Sequence, residues 1–564
     1  MQLAANVTSG DPVDWHSIDW KQVYRTVKNL RQRIFRASRE GDLKRVRSLQ
    51  RLMLRCQANA IESVRRVTQV NAGKNTPGVD QKLVLTPKAR GRLCAQLSGL
   101  ELHRVHPVRR VYIPKRKGKR PLGIPTIVDR CVQAMVKNAL EPFWEARFEG
   151  ISYGFRPGRG CHDAIEKLFN LARPNTTRPW VLDADIEGAF NHIGHSALLQ
   201  AIGNFPAREL IKQWLKAGYV EDEMFHPTET GVPQGGVVSP LLLNVALHGM
   251  EQALGTYYTS TGALRGTYAV VRYADDLAVL CPTQEKAIEA QEILSQWLGV
   301  RGLRLSDEKT SIRHLRDGFN FLAFNIRHYP TPNSSRSGYK LLIKPSPEAI
   351  QEVKRKLKGI WRKHVGSPTV ALINEMNPVI RGWSHYFRVG VSKEVFTDLD
   401  AFMYQRAQRY MKRRHPKKSG RWRTEKYWGP ILGRQDRWVF QDKQRNGTLR
   451  KFAWTKIVRH HLVPTTYSPD DPTLQHYWQK RRAKPQVTAF RHQQLVQRQQ
   501  GICPVCHQHL ENGEDLHIHH VVPKKSGGKD DLANLWLIHH NCHRQIHSNS
   551  APLGVRRLLE PCTR

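Results

Sequence analysis

The sequence predicts an α+β chain divided among several domains, on three observations. Its 564 residues suit about three or four cores rather than one. Up to about residue 345, short β-type apolar runs alternate with helical periodicity, and helical periodicity alone then continues to about residue 413. Near the C-terminal end, Cys503 and Cys506 return with His539 and Cys542, a Cys-x₂-Cys plus His-x₂-Cys set that suits a tetrahedral structural Zn²⁺.

Charge narrows the partners. Lys plus Arg number 90 against 48 Asp plus Glu, a formal net charge of +42 spread along the chain, which fits a polyanion held over a large surface. A membrane surface is the rival partner. No apolar run of about 18 residues occurs, and Met1-Gln-Leu-Ala-Ala-Asn6 has no basic stretch leading into an apolar one, so a soluble, intracellular protein with no membrane partner is expected. Of nine cysteines, Cys56, Cys94, Cys131, Cys161 and Cys281 are scattered, which suggests reduced thiols.

The elements follow in order. Arg109-Arg-Val-Tyr-Ile-Pro-Lys115 and Pro121-Leu-Gly-Ile-Pro125 flank a basic tip around Gly118, the pattern of a short β-hairpin. Residues 126–148 read as a helix with Val128, Val132, Met135, Val136 and Leu140 on one face. Ser152-Tyr-Gly-Phe-Arg-Pro-Gly-Arg159 is a loop of turn formers. Asp185 ends the strand-like run Val181-Leu-Asp-Ala-Asp185. Gly231-Val-Pro-Gln-Gly-Gly236 precedes an apolar helix expected over 241–254.

Asp275 and Asp276 sit inside Val271-Arg-Tyr-Ala-Asp-Asp-Leu-Ala-Val-Leu280, a hairpin pattern whose tip carries both acids. A turn made only for solvent would carry Gly or Asn rather than these apolar flanks. Two buried like charges are costly unless a divalent metal neutralises them. Asp185, Asp275 and Asp276 converging on two Mg²⁺ imply phosphoryl transfer, hence nucleotide polymerisation. Such a site needs cations beside the incoming triphosphate, and Lys115 and Arg120 stand where they can serve, or else form a solvated turn. Gln234 can pack against a nucleotide beside Gly235 and Gly236, or serve as a buried structural amide.

Beyond residue 347, Ile350, Val353, Leu357, Ile360 and Trp361 form one helical stripe. A second helix is expected to start at Asn377-Pro-Val-Ile-Arg381 and a third to span 395–411, making a small bundle. Lys354, Arg355, Lys356, Lys358, Arg362, Lys363, Arg381 and Arg388 decorate it. Residues 412–490 turn basic and aromatic, with Lys412-Arg-Arg-His-Pro-Lys-Lys418 and Arg421-Trp-Arg-Thr-Glu-Lys-Tyr-Trp428, which suits a phosphate backbone and unstacked bases. Between the cysteine pairs lie Leu516-His-Ile-His-His-Val-Val-Pro523 and Asn534, and His543 and His547 share a helical face.

Taken in order, these blocks resemble a group II intron-encoded protein, a reverse transcriptase with RNA maturase function. The resemblance runs from Arg66-Val-Thr-Gln-Val-Asn71 through Tyr112-Ile-Pro-Lys115, Ser152-Tyr-Gly-Phe-Arg-Pro157, Pro233-Gln-Gly-Gly236, Tyr273-Ala-Asp-Asp276 and Leu305-Ser-Asp-Glu-Lys-Thr310 to Gly318-Phe-Asn-Phe-Leu-Ala-Phe324. It implies right-hand polymerase fingers and palm with a ferredoxin-like palm sheet over residues 1–345 (an N-terminal extension to about 85), and an α-helical thumb or maturase domain over 346–412. A DNA-binding region over 413–490 and a C-terminal ββα-metal HNH domain over 491–564 complete it. It further implies two Mg²⁺ on Asp185, the Ile186 carbonyl, Asp275 and Asp276; triphosphate contacts at Lys115 and Arg120; Gln234 near the incoming nucleotide; and Phe190 as the gate against a 2′-OH. Lys354, Arg355, Lys358, Arg362, Arg381 and Arg388 would contact intron RNA.

The C-terminal end resembles an HNH endonuclease. That likeness implies one divalent metal (Mg²⁺) on His519 and His543, with His547 on metal or phosphate, His520 as general base, and Asn534 bracing the loop. Cys503, Cys506, His539 and Cys542 would hold one structural Zn²⁺. Asn191 and Ala323 depart from the family's usual aspartate and glycine. The whole implies a cytoplasmic (bacterial) or organellar protein with intron RNA, target DNA and dNTPs as partners, acting in splicing, target nicking and target-primed reverse transcription. A splicing-only RNA-binding maturase and a reverse transcriptase of a defence or diversity-generating system are the alternatives.

Overall fold

The computed structural model describes residues 13–97, 103–114, 118–259, 263–331, 338–431, 434–445, 447–482, 490–512 and 514–548. Helices Trp20–Arg39, Leu43–Arg55 and Gln57–Arg65 surround Ile127–Glu145, burying Ile34, Met53, Val64, Val132, Met135 and Leu140. Asp19 and Asp42 cap the first two by accepting from the N–H groups of Gln22 (3.1 Å) and Arg45 (2.9 Å). The helix expected over 126–148 is Ile127–Glu145, started by Thr126, whose hydroxyl accepts the Asp129 N–H at 3.0 Å. The basic hairpin forms as expected, Val108–Pro114 against Lys119–Ile124, and joins a second hairpin, Tyr219–Glu221 with Met224–His226, in a four-stranded sheet.

The central sheet has the order Ser311–His314, Trp180–Asp185, Asp276–Cys281, Ala269–Tyr273, all antiparallel. Along the chain its strands and the helices between them run β-α-β-β-α-β. Helices Cys161–Leu171 and Gln284–Gly299 pack on it, and Val181, Leu182, Val270, Val271, Leu277 and Val279 are wholly buried. The acids therefore sit where a dry sheet ends. The helix expected over 241–254 is instead two, Ser239–Ala246 and Met250–Ala253, parted at Gly249, whose φ of 96° is left-handed.

A three-stranded sheet, Phe319–Phe321, Phe324–Pro330 and Tyr339–Pro345, leads into helices Pro347–Lys363, Thr369–Phe387 and Lys393–Arg414. The second of these corrects the expected start at Asn377: it begins at Thr369 and runs through Pro378. Proline removes one N–H, and the Asn377 side chain is engaged outside the helix, its Nδ2 donating to Thr448 O (2.9 Å) and its Oδ1 accepting from Arg450 N (2.8 Å). A second correction concerns the aromatics after 412. Tyr427 and Trp428 are buried, Tyr427 stacking on Phe440 at 5.4 Å, while Phe440 also meets Trp361. They build core against the helices that follow residue 346 instead of offering faces to bases. Farther on, Asp470 and Asp471 pair with Arg31 (2.7 Å) and Arg39 (3.1 Å), stitching this segment to the N-terminal helices.

At the C-terminal end, strands Leu516–His520 and Leu535–His539 pair antiparallel and helix His540–Ile546 packs on both, a ββα unit. No helix among the described residues is long and apolar enough to cross a membrane, and no disulfide forms among them.

Candidate active sites

The register Trp180↔Cys281 through Asp185↔Asp276 sets Asp185 and Asp276 opposite one another. Tyr273 pairs with Asp276, so Ala274 and Asp275 form a two-residue turn, with Ala274 at φ 59°. The Ile186 N–H donates to the Asp275 carbonyl at 3.1 Å, tying the turn to the neighbouring strand. Lys309 Nζ lies 2.9 Å from Asp185. Burial, then Asp275 and Asp185, push the Asp276 carboxyl up to about 7, and burial pushes Asp275 up as well. One lysine does not neutralise three acids, and this donor set suits divalent cations. The three carboxylates are nevertheless not drawn within 4.8 Å of one another, as the two C-terminal donor clusters are.

Behind the turn lies a residue that its sequence pattern does not single out. Arg272 is wholly buried, and its Nη1 donates to the Ala274 carbonyl (3.2 Å) and to Asn244 Oδ1 (3.1 Å). Its backbone bonds Ile151 and Tyr153, which adds the loop 151–153 to the sheet edge.

Phe190 is buried, with its ring 6.1 Å from that of Phe155 and nearly perpendicular to it. Its carbonyl accepts the Val232 N–H at 2.6 Å, and a Cβ on Gly231 would strike Phe190 and Asn191. Gln234 Oε1 accepts from Arg120 Nε at 2.9 Å, so two of the expected nucleotide contacts meet. Ile186 is buried beside Asp275, while Lys115 lies outside the described residues.

Two clusters of metal donors stand in the ββα unit. Cys503, Cys506, His539 and Cys542 are all buried with donor atoms within 4.8 Å. His539 Nε2 faces the His509 carbonyl at 3.0 Å, which leaves Nδ1, 3.3 Å from Cys506 Sγ, to serve as ligand. Three thiols and one imidazole fit Zn²⁺. In the second cluster, His519, His543 and His547 gather within 4.8 Å, and the buried His519 Nε2 finds no protein partner, as a metal ligand requires. Burial, then His543 and His547, pull His519 down to about 4, so its imidazole is neutral.

His520 points elsewhere: its Nε2 is 2.7 Å from Asp530, which also holds Lys524 at 2.7 Å. Asn534 braces the loop with Nδ2 donating to Val522 O (3.0 Å) and Lys529 O (2.9 Å), and Oδ1 accepting from Val522 N (2.7 Å). Only glycine fits at 528, where a Cβ would overlap the Val522 carbonyl. Asp530 and Arg272 both lack a motif of their own and emerge only from contacts. Of the six cations expected on the helical bundle, Arg355, Lys358 and Arg362 are exposed, while Lys354, Arg381 and Arg388 are half-buried.

Family profiles match along most of this length. They are described as N-terminal domain of reverse transcriptase (residues 15–97), reverse transcriptase (RNA-dependent DNA polymerase) (113–326), group II intron maturase-specific domain (350–428) and HNH endonuclease (503–549). The chain is thus an RNA-directed DNA polymerase joined to a maturase domain and an HNH endonuclease. Protein YkfC of Escherichia coli (strain K12) is 35% identical over 316 residues, 49% of this chain and 83% of that protein. Group II intron-encoded protein LtrA of Lactococcus lactis subsp. cremoris is 43% identical over 155 residues, 26% of this chain and 25% of LtrA. An uncharacterized 91 kDa protein in the cob intron of Schizosaccharomyces pombe is 28% identical, covering 50% of this chain and 43% of that protein. The chain belongs to the group II intron-encoded reverse transcriptase and maturase family, in the form that carries an HNH domain.

Proposed function

We propose that this protein binds and folds a group II intron RNA to assist its splicing, nicks a DNA target with its ββα unit, and copies the intron RNA from the exposed 3′-OH. The observation that carries this reading is the pairing of Asp185 with Asp276 at the end of a buried sheet, in one chain with the His519, His543 and His547 cluster. The β-α-β-β-α-β order of that sheet supports a ferredoxin-like palm, and the three helices after residue 346 support a thumb. On this reading fingers and palm span 1–345, the thumb 346–412, a DNA-contacting segment 413–490 and the nuclease 491–564. The bacterial relatives support a bacterial cytoplasm, with an organelle as the other setting.

At the polymerase site, Asp185, Asp275 and Asp276, with the Ile186 carbonyl, would hold two Mg²⁺. When bound, the pair supplies charge stabilisation to the attacking and leaving oxygens. Phe190 bars a 2′-hydroxyl by bulk, Arg120 and Gln234 orient the incoming dNTP, and Arg272 fixes the turn that aims the acids. In the nuclease, His519, His543 and His547 would hold a divalent cation, which neutralises phosphate charge. His520 takes the proton from the attacking water, and Asp530 holds its ring. The Zn²⁺ set has a structural role.

Splicing of a precursor RNA carrying the intron, at low Mg²⁺ with and without protein, tests the reading. Rescue by wild type and by Asp275→Ala alike is expected. Rescue by neither, with primer extension intact in the wild type, overturns the intron assignment.

A further inference from the structure

The candidate zinc cluster leans on a residue nearly 450 positions earlier in the chain. Arg65 closes helix Gln57–Arg65 and is 1% exposed. Its Nη2 donates to both Glu514 oxygens at 3.0 and 3.2 Å and lies 3.7 Å from Cys542 Sγ. The guanidinium stands 4.3 Å above the Trp20 ring. Its Nε and Nη1 find no hydrogen-bond partner, so the hydrogen bonds of this desolvated cation all run through Nη2.

The contact is one of a set. Asn541 Nδ2 donates to Glu514 at 2.6 Å, Gln69 Nε2 to Asn541 Oδ1 at 3.0 Å, and Gln545 Nε2 to the carbonyls of Ile18 (2.7 Å) and His16 (3.1 Å). One side of this interface comes from residues 16–69, the other from 514–545. Zn²⁺ held by three thiolates and an imidazole carries one net negative charge, and Arg65, ion-paired to Glu514, also sets its Nη2 against the Cys542 sulfur of that site.

Building on the zinc reading, we propose that Arg65 is a positioning residue of the zinc centre, lent by the N-terminal helices. It donates to the Cys542 thiolate, so zinc retention and docking of the nuclease on the polymerase body depend on each other. Groups that hydrogen-bond metal ligands typically change affinity by about 10–100-fold when removed.

Full-length wild type, Arg65→Met and Arg65→Lys would be assayed for zinc content by mass spectrometry and for transfer of zinc to a chromogenic chelator. Wild type is expected to hold one zinc per chain, Arg65→Met to release it at least about tenfold faster, and Arg65→Lys to fall between. A wild type without zinc overturns the zinc reading itself. Equal release from wild type and Arg65→Met overturns the role of Arg65 alone. Should Arg65→Met fail to fold, amide exchange in the wild type decides. Stripping zinc is expected to raise exchange at residues 57–69, which contain no ligand, and unchanged exchange there overturns the coupling.

Discussion

Asp185 and Asp276 occupy one cross-strand position at the end of a sheet whose Val181, Leu182, Leu277 and Val279 are wholly buried. The Asp276 carboxyl is pushed up to about 7 by burial first, then by Asp275 and Asp185. Asp183, on the same strand, is pushed up to about 7 by its own burial. At these two carboxyls the folded state therefore binds protons more tightly than the unfolded chain between about pH 4 and 7, and their contribution to the stability of the metal-free protein falls as pH rises through that window. Added Mg²⁺ should raise the unfolding temperature more near pH 8 than near pH 5.5, because only the ionised acids bind it. Asp276→Asn should stabilise the metal-free protein near pH 8 by on the order of 1 kcal/mol and abolish most of the Mg²⁺ effect. A Mg²⁺ response independent of pH, followed by calorimetry, would exclude this account.

Arg272 supports the same acids from behind. Arg272→Met removes the donor to the Ala274 carbonyl and frees the turn that carries Asp275. Catalysis is expected to drop by on the order of tenfold or more, with the Mg²⁺ half-saturation shifted upward and dNTP KM little changed. Asn244→Ala, which leaves Arg272 in place, should do the same more weakly. An unchanged Mg²⁺ dependence in Arg272→Met would assign the residue to packing alone.

Phe190 is wedged between Phe155 and the loop at Gly231, so its bulk is fixed in place. Phe190→Val should raise the kcat/KM for ribonucleotides relative to deoxyribonucleotides by roughly tenfold, one lost contact of about 1.4 kcal/mol. Some stability goes with it, on the order of 1–3 kcal/mol for a truncated core ring. Selectivity measured in primer extension that stays at the wild-type ratio removes Phe190 from the gate.

Ala323 has a φ of 65°, in the left-handed region that favours glycine, beside Leu322 at 48°. The turn between Phe319–Phe321 and Phe324–Pro330 pays for two non-glycine residues there. Ala323→Gly should therefore stabilise the protein by about 0.5–1 kcal/mol in denaturant unfolding, with polymerisation unaltered. A loss of stability would show that the alanine methyl makes a contact worth more than the strain.

Much of this was legible in the sequence because chemistry restricts residue type. Acids at a hairpin tip, and histidines and cysteines at ligand spacing, announce themselves locally. What stayed hidden depends on distant partners. Arg272, Asp530 and Arg65 act through residues 28, 10 and 449 positions away that no local pattern couples to them. Around Pro378, Asn377 finds its partners at 448 and 450, and Tyr427 and Trp428 are core because Phe440 folds back on them. Interleaved charge and aromatics describe composition, and burial decides which of them meet a ligand.

The nuclease site offers a clean separation of roles. His519, His543 and His547 share one donor cluster, whereas His520 faces away to Asp530. His520→Ala should cut target nicking by about 10²–10⁴-fold, the range for a lost general base, while extension of a supplied primer and zinc content stay as in wild type. Asp530→Asn keeps the imidazole but weakens the contact that orients it, so a smaller loss of about tenfold is expected, together with a shifted pH profile of nicking. His519→Ala should instead weaken divalent-metal binding at the nuclease, read as a raised Mg²⁺ requirement. The three variants therefore differ in kind. Normal nicking by His520→Ala would remove it as the base, and loss of activity by His519→Ala at every Mg²⁺ concentration would give His519 a role beyond holding the metal.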